Sequence, residues 1–245
     1  MKKIVLSIAN LLGLKNTLVD FVINRRSKKL YGLFIKNGDL VFDVGANIGN
    51  RAKFFNDLGA KVVCIEPQEK CVNMLRERFR NNPAITIVPK GLSDKEGSIT
   101  LYTSEESSVI ATMSGKWKDE GRFTGNTNWN SSKVVEVTTL DILISKFGLP
   151  QFCKIDVEGF EKLVIAGLSK KIPVISFEFT MEFFDDAVTC IKLLQKNGKV
   201  KVNYSLGESM LFTNADFISA EECIEQIKDN KDKLLWGDIY VNYVD

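Results

Sequence analysis

Acidic residues close four of the strands predicted from this sequence, and their placement is the first pointer to chemistry. They are Asp43, Glu66, Asp156 and Glu178. Ligands of open α/β sheets bind outside the carboxyl ends of the strands. Any single acid there could simply cap the helix that follows it, but four in register predict a site. We expect the first two in a nucleotide-binding half and the last two in a reacting half.

Asp43 lies near the end of a mostly apolar run, Leu40–Val44, that is typical of a buried strand. Gly45 and Gly49 follow, and apolar residues then recur at helical spacing. Glycine has no Cβ, so backbone N–H groups at a helix start can approach a ligand closely. The G-x-x-x-G spacing is not that of dinucleotide binders, and Asp43 would repel a pyrophosphate. A ligand with positive charge, such as S-adenosylmethionine, fits better; a plain helix-start turn capped by Asp43 is the alternative.

A second predicted strand, Lys61–Ile65, runs into Glu66 and Pro67. Glu66 lies about twenty positions beyond Gly45, where an acidic residue holds the ribose hydroxyls of a bound nucleotide. The sequence therefore predicts a nucleoside-containing cofactor at this turn.

The reacting half centres on the stretch Lys154-Ile155-Asp156-Val157-Glu158. Strand alternation puts Lys154 and Asp156 on one face. Asp156, Glu158 and Glu178 could converge near an acceptor hydroxyl, as general base, orienting group or ligands for a hard divalent ion. Metal-free chemistry is favoured because no third acid is obviously adjacent in the sequence. The structural alternative is a Lys–Asp ion pair beside acids at a helix start.

Composition excludes several function classes. The chain has 245 residues, of which 44% are hydrophobic and 26% charged, as in an ordinary globular protein. A net charge of +2 gives no reason to expect nucleic-acid binding. Histidine is absent, which removes Ser-His-Asp hydrolysis, histidine-ligated zinc and histidine general bases. The five scattered cysteines form no C-x-x-C pair, so we expect reduced core thiols and a cytoplasmic protein.

Residues 1–38 are predicted as an N-terminal helical segment that packs on the main domain, residues 39–245. Apolar residues 4–12 resemble a secretory signal, but the apolar pattern continues at helical spacing without a cleavage site. We expect an amphipathic helix over residues 1–27, with membrane-surface contact as the alternative, and a second short helix over residues 28–38. No apolar stretch reaches the roughly twenty residues of a transmembrane helix.

Strands and helices alternate through the main domain, which predicts parallel pairing with right-handed crossovers. Further strands are predicted at Ile85–Val88 and at residues 98–102, 134–137, 152–157, 173–177, 199–204 and 235–240. Helices are predicted at residues 48–58, 68–80, 139–147, 161–168, 184–196 and 219–233.

Residues 103–133 interrupt this alternation with a polar stretch that contains Trp117, Phe123 and Trp129. A loop this long is usually functional or disordered. We interpret it as a lid-like insertion whose aromatic side chains stack on sugar faces; a disordered surface insertion is the alternative.

Taken together, these motifs resemble the FkbM-type S-adenosylmethionine-dependent methyltransferases. The matching segments follow the family's order over roughly residues 39–178, and residues 236–238 are similar to its ending. The segments are residues 42–49, 65–67, 91–97, 139–141, 154–159 with Glu161, and 177–178.

The resemblance implies a class I methyltransferase fold, an α/β, Rossmann-like architecture. Its seven-stranded, mostly parallel sheet has an antiparallel last strand and helices on both faces. The implied reaction is O-methylation of a hydroxyl on a sugar, glycan or sugar-containing metabolite, or on a small natural product. The expected catalytic residues are Lys154, Asp156, Glu158 and Glu178.

The same resemblance implies the residues that bind S-adenosylmethionine. The first turn would hold its methionine part, Glu66 with Pro67 its ribose, and Ser93 with Asp94 its adenine. The turn residues are Asp43, Gly45, Ala46, Asn47 and Gly49. Asn50-Arg51 departs from the family's pattern, which has a small hydroxyl residue there.

Two other functions stay open at this point. A nucleotide-dependent oxidoreductase conflicts with the glycine spacing and with Asp43. A cofactor-binding module without catalysis conflicts with the intact Lys154, Asp156 and Glu158.

Overall fold

The computed structural model describes residues 15–104, 111–121 and 129–244. The strands in this part of the chain are β1 (Leu40–Val44), β2 (Lys61–Ile65), β3 (Ile85–Val88), β4 (Gly91–Leu92), β5 (Gly97–Thr103), β6 (Ala111–Thr112), β7 (Ser131–Thr138), β8 (Phe152–Ile155), β9 (Val174–Thr180), β10 (Val200–Leu206) and β11 (Trp236–Tyr243). The helices are α1 (Lys15–Tyr31), α2 (Asn50–Asp57), α3 (Glu69–Arg78), α4 (Gly115–Glu120), α5 (Leu140–Phe147), α6 (Glu161–Ala166), α7 (Phe184–Gln195) and α8 (Ala220–Lys228).

The central sheet has seven strands in the order β3-β2-β1-β8-β9-β11-β10. Strands β3, β2, β1, β8 and β9 are parallel, and β11 runs antiparallel to both β9 and β10. This arrangement confirms the expected fold class. The strand order reverses between β1 and β8, and a ligand crevice forms at such a switch point.

Both faces of the sheet are covered, because alternate side chains of each strand point to opposite sides. On β1, Phe42 and Val44 pack into the core under α5 to α8, whereas Val41 packs into the core under α1 to α3. Tyr31 and Phe55 meet edge to face in the second core, with ring centroids 4.9 Å apart. All five cysteines are buried in the described part of the chain and form no disulfide bond there, which confirms the predicted core thiols.

A second, four-stranded sheet lies outside the central one, in the order β4-β7-β5-β6. Its main pair is β5 with β7, which are antiparallel. This sheet begins and ends the stretch that we interpret as a lid, and it differs from the predicted irregular loop. Within residues 103–133, β6, α4 and the start of β7 are regular, and residues 105–110 and 122–128, including Phe123, lie outside the described part.

Several predicted boundaries differ from those of the structure, and two of these differences concern the N-terminal segment and the site. The proposed short helix over residues 28–38 does not form separately, because α1 continues to Tyr31 with Ser27 fully buried and two lysines in its last turn. Glu178 does not close a strand, because β9 continues to Thr180. The predicted apolar start of the N-terminal helix, residues 4–12, lies outside the described residues. Among the described helices, none is long and apolar enough to cross a membrane.

Candidate active site

The turn after β1 depends on a close approach that only glycine permits. Gly45 has a φ of +78°, and a Cβ on it would lie 1.8 Å from the backbone oxygen of Asp156. The Asp156 N–H also donates to the Val44 carbonyl at 2.9 Å. The turn after β1 and the loop after β8 are therefore held together at the switch point.

Glu66 supports the same turn from the end of β2. Its buried carboxylate accepts the N–H of Asn47 at Oε2 and that of Gln68 at Oε1, both at 2.8 Å. Burial raises the pKa of Glu66 to about 7, against the opposing effect of these two N–H groups. The carboxylate is thus fixed in orientation, and each oxygen keeps a lone pair for a ligand.

These residues line one cavity of about 950 Å³. That volume is at the upper end of the range for small-molecule sites, so a cofactor and a second molecule can share it. The cavity has an apolar wall, an acidic floor and a charged end. The wall includes Leu92, Leu101 and Met113, the floor Asp156 and Glu158, and the charged end Lys28, Arg51, Lys53 and Glu208.

Behind the floor, Lys154 forms a buried ion-pair network. Its side chain is 1% exposed, and Nζ lies 2.8 Å from Asp238 Oδ1 and 3.1 Å from Asp156 Oδ2. Burial alone would lower the pKa of Lys154, but the two carboxylates outweigh it and raise the pKa well above its usual range. Burial likewise opposes ionisation of Asp156, yet Lys154 holds its pKa below the ordinary value. Both groups are therefore charged at neutral pH.

Three carboxyl groups meet beside this pair. Oxygens of Asp156, Glu158 and Glu178 all lie within 4.8 Å of one another. Burial, reinforced by the charges of Asp156 and Glu158, raises the pKa of Glu178 well above its usual range. Such a cluster can share a proton or hold a hard cation. Here an ionised Asp156 stands beside Glu178, whose raised pKa favours its protonated form, and two carboxyl groups in such different environments suit acid–base chemistry.

The insertion supports the loop that carries Glu158. Glu158 has a φ of 52°, and its carbonyl accepts the Thr112 hydroxyl at 2.6 Å. Trp117 is 3% exposed and packs so closely on Gly159 that a Cβ there would lie 3.0 Å from it. Its ring centroid is 5.5 Å from that of Phe183. Trp117 is therefore a core residue and is not presented to a sugar.

The structure brings most of the predicted residues to the cavity, at different depths. Those that line it are Gly45, Ala46, Asn47, Glu66, Pro67, Asp156 and Glu158. Asp43 is 2% exposed and lies behind the turn; burial raises its pKa to about 7, although Lys154 opposes this. Gly49 φ is +83°, and its Cα faces Leu75 and Phe79.

Three predicted residues lie elsewhere. Glu178 lines a separate small cavity together with Trp117 and Thr180. Ser93 and Asp94 are absent from the described residues that line the large cavity, whose wall is formed instead by Gly91 and Leu92. Ser93 is buried beneath Thr138 and Gly167, and Asp94 is exposed.

Sequence reasoning gave no site role to Asp238 or Arg51. Asp238 lies on β11 and pairs with Lys154. The only indication of this role in the sequence was an isolated acidic residue between Gly237 and Ile239 in a predicted strand. Arg51 reaches the cavity from α2 and pairs with Glu208. The indication of Arg51 in the sequence was that Asn50-Arg51 stands where the family's pattern has a small hydroxyl residue.

A parallel sheet with an antiparallel last strand, and a glycine turn and ribose-type acid at its switch point, define the class I methyltransferase fold. The Methyltransferase FkbM domain model matches residues 43–201. The chain belongs to the FkbM methyltransferase family.

The chain is also similar to individual known proteins. The hexuronic acid methyltransferase AglP of Haloferax volcanii is 30% identical over 143 residues, which are 57% of this chain and 54% of AglP. The chain thus spans about half the length of that relative. Among solved structures, a precorrin-6y C5,15-methyltransferase from Geobacter metallireducens is 12% identical with a TM-score of 0.48, covering 89% of this chain and 87% of that one. A TehB-like SAM-dependent methyltransferase from Corynebacterium glutamicum is 9% identical with a TM-score of 0.45 and the same coverage of both chains.

Proposed function

We propose that this protein is an S-adenosylmethionine-dependent O-methyltransferase that acts on a hydroxyl of a sugar, glycan or sugar-containing metabolite. The observation that carries the proposal is one cavity that joins the glycine turn and Glu66 to the carboxyl groups of Asp156 and Glu158. A cofactor seat and a proton acceptor therefore open onto the same space.

The residues of the turn fit the cofactor. Gly45 leaves the backbone open, and the fixed Glu66 carboxylate can accept the hydrogen bonds of two ribose hydroxyls. The apolar wall of Leu92 and Met113 suits the adenine ring. When bound, S-adenosylmethionine supplies an electrophilic methyl group on its sulfonium.

Asp156 is the proton acceptor in this proposal. The glycine turn and Glu66 would hold the cofactor that supplies the methyl group, and the Asp156 carboxylate would accept the proton of the acceptor hydroxyl as its oxygen is methylated. Lys154 keeps that carboxylate ionised and in place from behind, so its role is positioning. Glu158 orients the hydroxyl, and a neutral Glu178 limits the charge repulsion in the cluster. Most of the acceleration would come from alignment.

The name of the relative AglP points to a sugar acid as acceptor. A sugar offers several hydroxyls, and carboxyl groups such as Asp156 and Glu158 commonly hydrogen-bond to them. The acceptor class is therefore a hydroxyl-rich molecule that fills the part of the cavity left free by the cofactor.

The test is transfer of labelled methyl from S-adenosylmethionine to fractions of a cell extract, followed by identification of the labelled product. We expect an alkali-stable methyl ether on a sugar. A label released by mild alkali would indicate a methyl ester and contradict hydroxyl methylation. Saturable cofactor binding without transfer to any fraction would contradict the enzyme, and binding of NAD(H) instead of S-adenosylmethionine would contradict the cofactor.

A further inference from the structure

Arg51 is the charged residue of the cavity that the proposed function leaves unexplained. It is the second residue of α2, and its side chain is 20% exposed. It lines the cavity together with Asn47 and Ile48 and pairs with Glu208, whereas Leu92 and Met113 contribute the apolar part of the lining. A guanidinium there faces whatever extends past the glycine turn.

The other cations that line the cavity already contact neighbouring groups. Lys28 and Lys53 both pair with Asp57, at 3.1 and 2.8 Å. Arg78 Nη1 donates to the Ile48 carbonyl at 2.7 Å and to the Asn50 side chain at 2.9 Å. These contacts stabilise the turn and the outside of α2.

Arg51 differs from them in how its donors are used. In the described part of the chain its hydrogen bonds run from Nη2 alone, to Glu208 Oε1 at 2.9 Å and Oε2 at 2.6 Å. The guanidinium has five N–H donors in a fork that suits carboxylates. Glu208 is 49% exposed, so it orients Arg51 from the solvent side without enclosing it.

The polarity of the cavity then fixes the direction of the cofactor. Its adenine suits the apolar wall, its ribose suits Glu66, and its zwitterionic amino-acid end is left for the charged end beyond Asn47. At that end the anionic group of the ligand requires a cation with free donors. We propose that Arg51 binds the α-carboxylate of S-adenosylmethionine. This inference rests on the proposed function.

The test compares two ligands that differ only in this group, S-adenosylmethionine and decarboxylated S-adenosylmethionine, by calorimetric titration. We expect the full-length protein to prefer the carboxylated ligand by about 10- to 100-fold, the effect of a charge-assisted hydrogen-bonded pair. In Arg51→Met the preference should fall to within about threefold, with little change in affinity for the decarboxylated ligand. That retained affinity also shows that the variant is folded.

Lys53→Met is the matched control, since it removes one cation from the same helix and the same end of the cavity. It should keep the preference of the unsubstituted protein. Arg51→Lys keeps the charge without the fork and should keep an intermediate preference.

An unchanged preference in Arg51→Met would overturn the assignment of Arg51 while leaving the proposed function standing. The same holds if Arg51→Met raises only the KM of the sugar acceptor, which would place the acceptor at Arg51. Absence of binding of either ligand to the unsubstituted protein would overturn both proposals.

Discussion

Among individual residues, the central feature is a buried lysine whose ammonium group pairs with two aspartates. The Lys154 ammonium group pairs with Asp238, on β11, and with Asp156, in the loop after β8. The sequence placed Lys154 and Asp156 on one face, because strand alternation is local, and it offered their ion pair as the alternative to a catalytic role. It gave no role to Asp238, because 84 residues separate it from Lys154 and only the order of the sheet brings them together.

Asp156→Asn removes the proposed proton acceptor without changing the shape of the cavity. We expect kcat to fall by about two to four orders of magnitude with nearly unchanged affinity for S-adenosylmethionine. Because the pKa of Asp156 lies below its ordinary value, the pH–rate profile of the saturated enzyme should lack a limb near pH 6.5 of the kind an imidazole gives. Asp94→Asn, at an exposed acid, is the control. A fully active Asp156→Asn enzyme would leave positioning alone as the mechanism.

Lys154→Met leaves the carboxylates of Asp238, which is 10% exposed, and Asp156, which is 35% exposed, without their buried cation. Breaking a buried pair in this way costs about 3–5 kcal/mol, to be measured as the free energy of unfolding in urea. Lys162→Met is the matched control, since the Lys162–Asp186 pair is exposed and should cost less than about 1 kcal/mol. Equal losses in the two variants would show that Lys154 contributes no more than a surface lysine.

The acids at Asp156, Glu158 and Glu178 also define a test for a metal ion. No third acid was obviously adjacent to the first two in the sequence, but Glu178 was expected to converge with them, and β9 brings it there. Even so, Lys154 neutralises Asp156 and burial favours a neutral Glu178, which weakens the attraction for a cation. We expect activity to survive EDTA. Loss on chelation, with recovery in Mg²⁺ or Mn²⁺, would assign these acids to a metal.

At the scale of elements, the parallel strands were the most predictable part. Leu40–Val44 and Lys61–Ile65 were predicted with the bounds that β1 and β2 have, because buried parallel strands are short apolar runs between breakers. The insertion was predicted poorly. β6 and α4 have two and six residues, too few for a period, and their order comes from packing of Trp117 on the loop after β8.

Trp117→Ala tests whether the insertion is part of the folded core. It should lower the free energy of unfolding by about 3–5 kcal/mol, as for other buried aromatic truncations, and lower kcat through the loop that carries Glu158. Trp117→Phe keeps a ring against Phe183 and should lose less than half as much. A stability loss near zero in the alanine variant would return this segment to the surface lid that the sequence predicted, with Trp117 available for a sugar.

For the whole molecule, the notable property is the number of buried acids. Burial raises the pKa of Asp43, Glu66 and Glu161 to about 7 each. The sequence alone shows which residues are acidic but not how deeply they are buried, because their burial depends on how the turn after β1 packs against the end of β8. Since the chain has no histidine, these carboxyl groups control titration between pH 4.5 and 7.

This titration sets the sign of the pH dependence of stability. A group with a raised folded pKa stabilises the protein fully below its unfolded pKa, and that stabilisation is lost as pH rises through the folded value. The melting temperature of the cofactor-free protein should therefore fall by several degrees from pH 4.5 to 7. Glu161→Gln, which keeps an acceptor for the Val157 N–H, should make this slope shallower. A melting temperature that rises over the same range would contradict the burial of these acids.

The position of β11 has a consequence for biosynthesis. This strand is inserted between β9 and β10 and supplies Asp238, although it follows both along the chain. On the ribosome, β9 emerges with β8 as its partner but with its other edge open, and β10 emerges without a partner strand in the central sheet. At that stage Lys154 has only one of its two carboxylates. Until residues 236–243 leave the exit tunnel, the nascent chain exposes unpaired strand edges, which are sites for chaperone capture or misassembly. Lys154, which positions the proposed proton acceptor Asp156, therefore gains its second carboxylate only after β11 has emerged.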